Sequence, residues 1–212
     1  MTPDAQPVAA TDANGNFDFT IDKSVTKFSD FESGTIAAVK DGFGMAWCPS
    51  VVMNLDEKSR EDYRKEIEDL PKEYRTQMEA KLDGVGKPLR LVHDDQAVTG
   101  KILNIEGQPV AGAKLTLLSV TTGENDTLDQ WNAAVNEPQA DFYSARWKTP
   151  RSVNGPQLRS LITPAVSGAK GKFKLSGIGN GRIAQLLVEG SGITTEKIYA
   201  VSYTHLTLPT KA

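Results

Sequence analysis

Apolar and polar residues alternate in several short stretches of this chain, which is the pattern of half-buried β-strands. Residues 113–117 read Ala-Lys-Leu-Thr-Leu, and residues 171–175 read Gly-Lys-Phe-Lys-Leu. Short turns rich in glycine and proline separate such stretches, as they do in antiparallel sheets with one solvated face. The alternation therefore predicts a mainly β protein, built as an antiparallel sandwich. It also predicts that Ile102, Leu115, Phe173 and Leu186 share one core.

Residues 55–83 carry a helical pattern instead. Within a highly charged background, apolar residues recur at spacings of three and four, which is typical of an amphipathic helix. These residues are Tyr63, Ile67, Leu70, Tyr74, Met78 and Leu82. Pro71 cannot continue a helix, so we expect two helices, over about 56–69 and 71–82. Residues 51–86 are thus interpreted as a charged helical insertion or linker that packs on its own sheet; the alternative is a partner-binding helix.

A second insertion is expected at about 120–165. Asp126 is a suitable N-cap for a short helix that runs to about Glu137 and buries Leu128, Trp131 and Val135. Prolines punctuate the remainder, where aromatic rings either cap the end of the sandwich or bind a ligand. The candidate binding residues are Trp131, Phe142, Tyr143 and Trp147.

Two pairs of segments in the chain match each other. Residues 15–19 resemble residues 171–175, and residues 41–45 resemble residues 189–193, in the same order. A match of this kind predicts two copies of one β-unit. The first copy lacks an opening hairpin, so we expect a partial repeat over 11–50.

Residues 98–115 read VTGKILNIEGQPVAGAKL and resemble the carboxypeptidase regulatory-like domain. In that family a V-x-G-x-V strand precedes a G-x-P-V-x-G-A turn and strand, and a T-D-x-x-G-x-F turn follows later. Residues 11–17 (TDANGNF) match this last element, and residues 169–173 match it without the acidic residue. The resemblance implies a transthyretin-like Greek-key β-sandwich over 87–200, with helical insertions. It also implies an extracytoplasmic location, in the periplasm or at the cell surface.

The composition of the chain excludes several classes of protein and of functional site. The net charge is −3 with both signs evenly mixed, which argues against a dedicated nucleic-acid binder, and no apolar stretch is long enough for a transmembrane helix. Cys48 is the only cysteine, so an internal disulfide is excluded and a packing role is expected. The two histidines, His93 and His205, are too few for a zinc-peptidase site. We expect no catalytic residue, metal or cofactor.

Both ends of the chain are set apart from the predicted fold. Residues 201–210 (VSYTHLTLPT) back-translate into a transposon-end sequencing adapter read in one frame. Residues 201–212 are therefore expected to be an artefactual tail on a gene fragment, although Val201 and Ser202 can overlap the natural frame. Residues 1–10 are expected to be a disordered polar segment without a signal peptide.

Three hypotheses for function follow. The leading one is a non-catalytic accessory β-sandwich module, a spacer or interaction platform whose partners are neighbouring domains of a larger bacterial protein. The second is a carbohydrate- or peptide-binding module that uses the aromatic residues of the 120–165 insertion. The third is a support domain for a catalytic domain encoded elsewhere in the gene.

Overall fold

A computed structural model defines the fold of most of the chain. Within the described residues the protein is mainly β, with 34% strand against 18% helix, and its sheets are antiparallel. This confirms the predicted class at that level. The structure describes residues 7–20, 35–49, 57–83, 88–123, 125–138, 145, 148–149, 151–155 and 158–202.

Strands and helices alternate in blocks along the chain. In chain order, the strands are β1 (Thr35–Ala38), β2 (Phe43–Gly44), β3 (Ala46–Pro49), β4 (Val92–His93), β5 (Val98–Lys101), β6 (Lys114–Thr122), β7 (Arg151–Asn154), β8 (Ala165–Val166), β9 (Lys172–Leu175), β10 (Arg182–Glu189) and β11 (Glu196–Ser202). The helices are α1 (Glu57–Glu66), α2 (Lys72–Asp83), α3 (Asp129–Val135) and α4 (Leu158–Leu161).

The largest sheet has five strands in the order β11-β10-β6-β7, with β8 also paired to β6. Its two central strands, β6 and β10, are neighbours although the whole second insertion separates them in sequence. Among the described residues, three two-stranded sheets accompany it, formed by β1 with β3, β2 with β4, and β5 with β9. The fold therefore depends on pairings between distant segments of the chain.

A β-bulge interrupts the pairing of the two central strands. Gln185 pairs with Ser119 and Leu186 pairs with Leu117, so Leu118 has no counterpart on β10. The extra residue shifts the alternation of β6 by one position. The fully buried residues of β6 are Leu115 and Leu117 before the bulge, and Val120 and Thr122 after it.

One main hydrophobic core joins the sheets. Leu115 and Leu186 are fully buried in it, and Ile102 and Phe173 pack against it from partly buried positions. The predicted shared core of these four residues is confirmed. Leu175 of β9, 1% exposed, belongs to the same core, so the β5–β9 pair and the five-stranded sheet enclose it together.

The hairpin of β1 and β3 contributes to this same core. Met45 and Trp47 are 0% and 4% exposed and pack with residues of β6, β9 and β10. The main chains of Gly44 and Gly179 lie in direct contact, so a Cβ at position 44 would overlap the main chain of Gly179. The predicted division between 11–50 and 87–200 stays a prediction.

The turn near the N-terminus forms, but the strand that the match to residues 171–175 predicts for residues 16–19 does not. Gly15 adopts a φ of 83°, and the amide of Gly15 donates to the carbonyl oxygen of Asp12. Residues 16–20 are not a strand, and the rings of Phe17 and Phe19 stack on each other at 6.0 Å. The strand prediction is wrong here because no described strand pairs with this segment.

The two helices of the first insertion are confirmed. Pro71 lies between α1 and α2, as the proline rule requires. Tyr63 donates a hydrogen bond to Sδ of Met78 at 3.2 Å, and Ile67 is 5% exposed, so the helices pack together as a hairpin. The α2 helix also contacts β7. None of the described helices is long and apolar enough to cross a bilayer.

Strand β11 includes Val201 and Ser202, the two residues of the expected tail that can overlap the natural frame. Val201 pairs with Ile183, and Ser202 pairs with Arg182. Ser202 is buried, and its hydroxyl donates to the carbonyl oxygen of Gln96 at 3.2 Å. Residues 203–212 lie outside the described part of the chain.

Candidate functional site

The most unusual chemical feature of the core is a buried arginine. Arg182 is 0% exposed, whereas arginine is almost never fully buried unless it is paired. It begins β10 on the strand face shared by Ala184, Leu186 and Val188, all of which are buried in the core. The alternation of β10 therefore directs the guanidinium inward.

Two guanidinium groups lie over the ring of Trp47. The guanidinium carbon of Arg182 lies 4.6 Å from the centroid of the Trp47 ring, and that of Arg151 lies 5.7 Å away. Cation–π contacts of this kind strengthen when they are shielded from water. The same guanidiniums bind the main chain in and just before β3. Nη1 of Arg182 donates to the carbonyl oxygen of Met45, and Nη2 of Arg151 donates to that of Trp47 at 3.3 Å.

Asp126 is the shared counterion of both arginines. Its Oδ1 lies 2.8 Å from Nη1 of Arg151 and 3.8 Å from Nη2 of Arg182. The residue adopts a φ of 58°, a left-handed conformation that aspartate tolerates better than most residues. The prediction that Asp126 caps a helix is wrong, since the N-cap of α3 is Leu128 and makes no side-chain capping bond. The carboxylate binds the arginines instead.

A second carboxylate, Asp94, fixes the turn before β10. Its Oδ2 accepts the amide of Gly177 at 2.5 Å, and its Oδ1 accepts the amide of Gly179 at 2.9 Å. Both glycines have positive φ, and Gly179 also packs against Gly44. Asp94 thus holds the turn that leads into Arg182.

These five residues, Trp47, Asp94, Asp126, Arg151 and Arg182, are called the arginine cluster below. Burial lowers the pKa of Arg182 to about 10; the charges of Asp126 and Asp94 oppose this change, and that of Arg151 adds to it. The guanidinium is still protonated at neutral pH. Two cations and two carboxylates then balance in charge, as buried charges require. The hydrogen bonding of Arg182 is incomplete, because its Nε and Nη2 are buried without a hydrogen-bond partner in the described structure.

The cluster joins segments that are far apart in sequence. Its members come from β3, from the segment between β4 and β5, from the segment after β6, from β7 and from β10. Their contacts are with an aromatic ring, backbone carbonyls and backbone amides. Chemically, this arrangement holds strands and turns together.

Cys48 lies beside this region and is 6% exposed. Burial raises the pKa of the Cys48 thiol, and the charge of Arg151 only partly opposes this. The thiolate is the reactive form of cysteine, so the raised pKa disfavours nucleophilic chemistry at this position. Its burial in β3 agrees with the packing role expected from the sequence.

Of the four candidate ligand-binding residues, only Trp131 lies in the described part of the chain. Trp131 is 6% exposed and packs in a second hydrophobic cluster with Leu128, Ala145 and Ile183. Its position is that of a packing residue. The other three candidates, Phe142, Tyr143 and Trp147, lie outside the described residues, so binding by these aromatic residues stays a prediction.

His93 lies at the surface in β4, where its ring stacks on that of Phe43 at 5.1 Å. Within the described ranges, no three side chains of histidine, cysteine, aspartate or glutamate are grouped so that they could hold a metal ion. The arginine cluster therefore remains the best-defined polar site of the described structure.

Comparisons with known proteins add no relative. No protein-family model matches this chain, and no curated protein or solved structure matches it significantly.

Proposed function

We propose that this chain is a non-catalytic accessory β module, which acts as a spacer or interaction platform within a larger bacterial multi-domain protein. One observation carries the proposal: Arg182, the most deeply buried charged side chain described, is used to fasten backbone segments. Its contacts are the Trp47 ring, the Met45 carbonyl oxygen and the Asp126 carboxylate. A module that connects other domains needs such internal fastening, because it must keep its shape.

The fold that we propose is a transthyretin-like Greek-key sandwich of the carboxypeptidase regulatory-like kind. Two features support it. The central strands β6 and β10 are paired across a long connection, and the separate β5–β9 pair shares the main core with them. From the same resemblance, we propose an extracytoplasmic location and neighbouring domains as the partners.

The test combines structural and enzymatic measurements on the full chain. Limited proteolysis should leave one resistant fragment that contains both Trp47 and Leu186, because these residues share a core. That fragment should unfold in one cooperative transition, as small single-core domains usually do.

Enzymatic activity would contradict the proposal. The purified chain should not hydrolyse peptide, ester or glycoside substrates. If it did, and if Asp126→Asn removed that activity without altering the far-ultraviolet circular dichroism, the arginine cluster would be a catalytic site and the proposed function would be wrong.

A further inference from the structure

The hairpin of α1 and α2 carries an open groove of about 520 Å³. It lies between the last turn of α1 and the first half of α2, with Glu68 from the connecting turn. Its charged lining consists of the cations Arg64, Lys65, Lys72 and Arg75 and the carboxylates Glu68 and Glu79.

The cations are concentrated in this groove. Residues 57–83 contain seven lysines and arginines against nine aspartates and glutamates, a net charge of −2. Four of those seven cations line the groove, but only two of the nine carboxylates do, so the lining has a net charge of +2. An acidic hairpin therefore presents a basic concave surface.

Two of these cations form only weak ion pairs within the hairpin. Arg64 lies 3.9 Å from Glu57, and Lys65 lies 3.5 Å from Asp62, with all four side chains about half or more exposed. Ion pairs this exposed contribute little free energy, so they can be exchanged for a ligand. Arg75 is better fixed, because its Nη1 donates to the carbonyl oxygen of Glu68 at 3.0 Å.

We propose that this groove binds an acidic peptide segment with two or three carboxylates, supplied by a partner protein or a neighbouring domain. This inference rests on the proposed function, because it names the partner class of the interaction platform. The charge of the lining matches such a segment. A nucleic-acid backbone fits less well, because Glu68 and Glu79 face the same groove and four cations do not form a long basic stripe.

The probe for this site is a fluorescein-labelled peptide of six glutamates, followed by fluorescence anisotropy on the full chain. We expect binding at an ionic strength of about 0.02 M that weakens strongly at about 0.3 M, because salt screens exposed charges. The double substitution Arg64→Glu with Lys72→Glu should weaken binding at least about fivefold.

The matched control is Lys58→Glu with Lys101→Glu, which changes the net charge equally on exposed residues outside the groove. It should bind within about twofold of the unsubstituted chain. Circular dichroism and the thermal midpoint should be the same for both variants, which shows that each is folded.

Three results would overturn the proposal: no binding at low salt, an equal loss in both double variants, or tighter binding of a single-stranded oligonucleotide than of the acidic peptide. None of these involves hydrolysis or the cooperativity of the core. Failure of the groove is thus distinguishable from failure of the proposed function.

Discussion

Two segments with the same sequence pattern have different structures in this molecule. Residues 15–19 and 171–175 both begin with a left-handed glycine, at φ values of 83° and 70°, and both then alternate polar and apolar residues. The second segment contains β9, which pairs with β5 along its whole length. The first is not a strand, and Phe17 is 37% exposed. Alternation thus defines two faces, but a partner strand and a core decide whether a strand forms.

The turns of the two segments are also stabilised differently. Asp12 binds the amides of Asn14 and Asn16 within its own turn, each at 2.8 Å. The carbonyl oxygen of Gly171 instead accepts the amide of Ile102 at 2.9 Å, a contact across the fold. Both turns are closed by local backbone bonds, from Gly15 to Asp12 and from Gly171 to Gly168, but only the second also bonds to a distant segment. Substitutions should therefore affect global stability mainly in the second turn.

The largest difference in stability is expected when the last apolar residue of each segment, Leu175 or Phe19, is replaced by alanine. Leu175→Ala should lower the free energy of unfolding by about 2–5 kcal/mol, because Leu175 is 1% exposed in the main core. The matched Phe19→Ala should change it by less than about 0.5 kcal/mol. Urea unfolding followed by tryptophan fluorescence measures both, and similar losses in the two variants would refute the comparison.

A second difference is expected between two carboxylates. Asp126→Asn should lower the free energy of unfolding by about 2–4 kcal/mol, because it leaves the buried Arg182 without a full counterion. Asparagine also tolerates positive φ, so the backbone strain is unchanged. Asp12→Asn is the control, since Asp12 is exposed. Equal urea midpoints for the two variants would show that the arginine cluster contributes nothing to stability.

The two left-handed glycines provide a third test. Gly171→Ala should destabilise the protein by about 1–3 kcal/mol, because of its positive φ and because the new Cβ would overlap the carbonyl oxygen of Ile102. Gly15→Ala carries similar backbone strain, but nothing lies within 4 Å of the new Cβ. Its effect on global unfolding should stay below about 0.5 kcal/mol. Thermal denaturation of both variants checks this, and a larger loss for Gly15→Ala would contradict it.

The smallest effect concerns pH. The backbone amide of Asn16, with further bonds from the same turn, lowers the pKa of Asp12 below its ordinary 3.8. A lowered carboxyl pKa means that the turn is stabilised above pH 3.8 and loses this stabilisation as the pH falls through the lowered pKa. The amide signals of Asn14 and Asn16 in NMR spectra should shift with a midpoint below 3.8. A midpoint at or above 3.8 would mean that these bonds do not form in solution.

Local periodicity was enough to predict part of the fold. The spacing of Tyr63, Ile67 and Met78 predicted the helices, and Pro71 predicted the break between them. The core positions Leu115 and Leu186 followed from alternation. These features depend on residues close together in sequence, which is why one sequence suffices for them.

The arginine cluster was not predicted because it depends on contacts between distant segments. Asp126 has the residue type of a helix cap, and only the folded chain brings Arg151 and Arg182 to it. One signal was available in the sequence, because Arg182 lies at every-second-residue spacing from Ala184, Leu186 and Val188. Side chains at this spacing share one face of a strand, so the buried face of β10 could have been extended to Arg182.

The unpaired Leu118 has a consequence for how the sequence of β6 can vary. If Leu118 were forced into a regular ladder, the second half of the strand would turn over. Val120 and Thr122 would then point to solvent, and Ser119 and Thr121 would face the core. Deleting Leu118 would have the opposite result, because Leu115, Leu117, Val120 and Thr122 would then occupy every second position and stay on the buried face. We therefore expect β6 to tolerate a deletion at Leu118 better than a deletion at any of its buried positions.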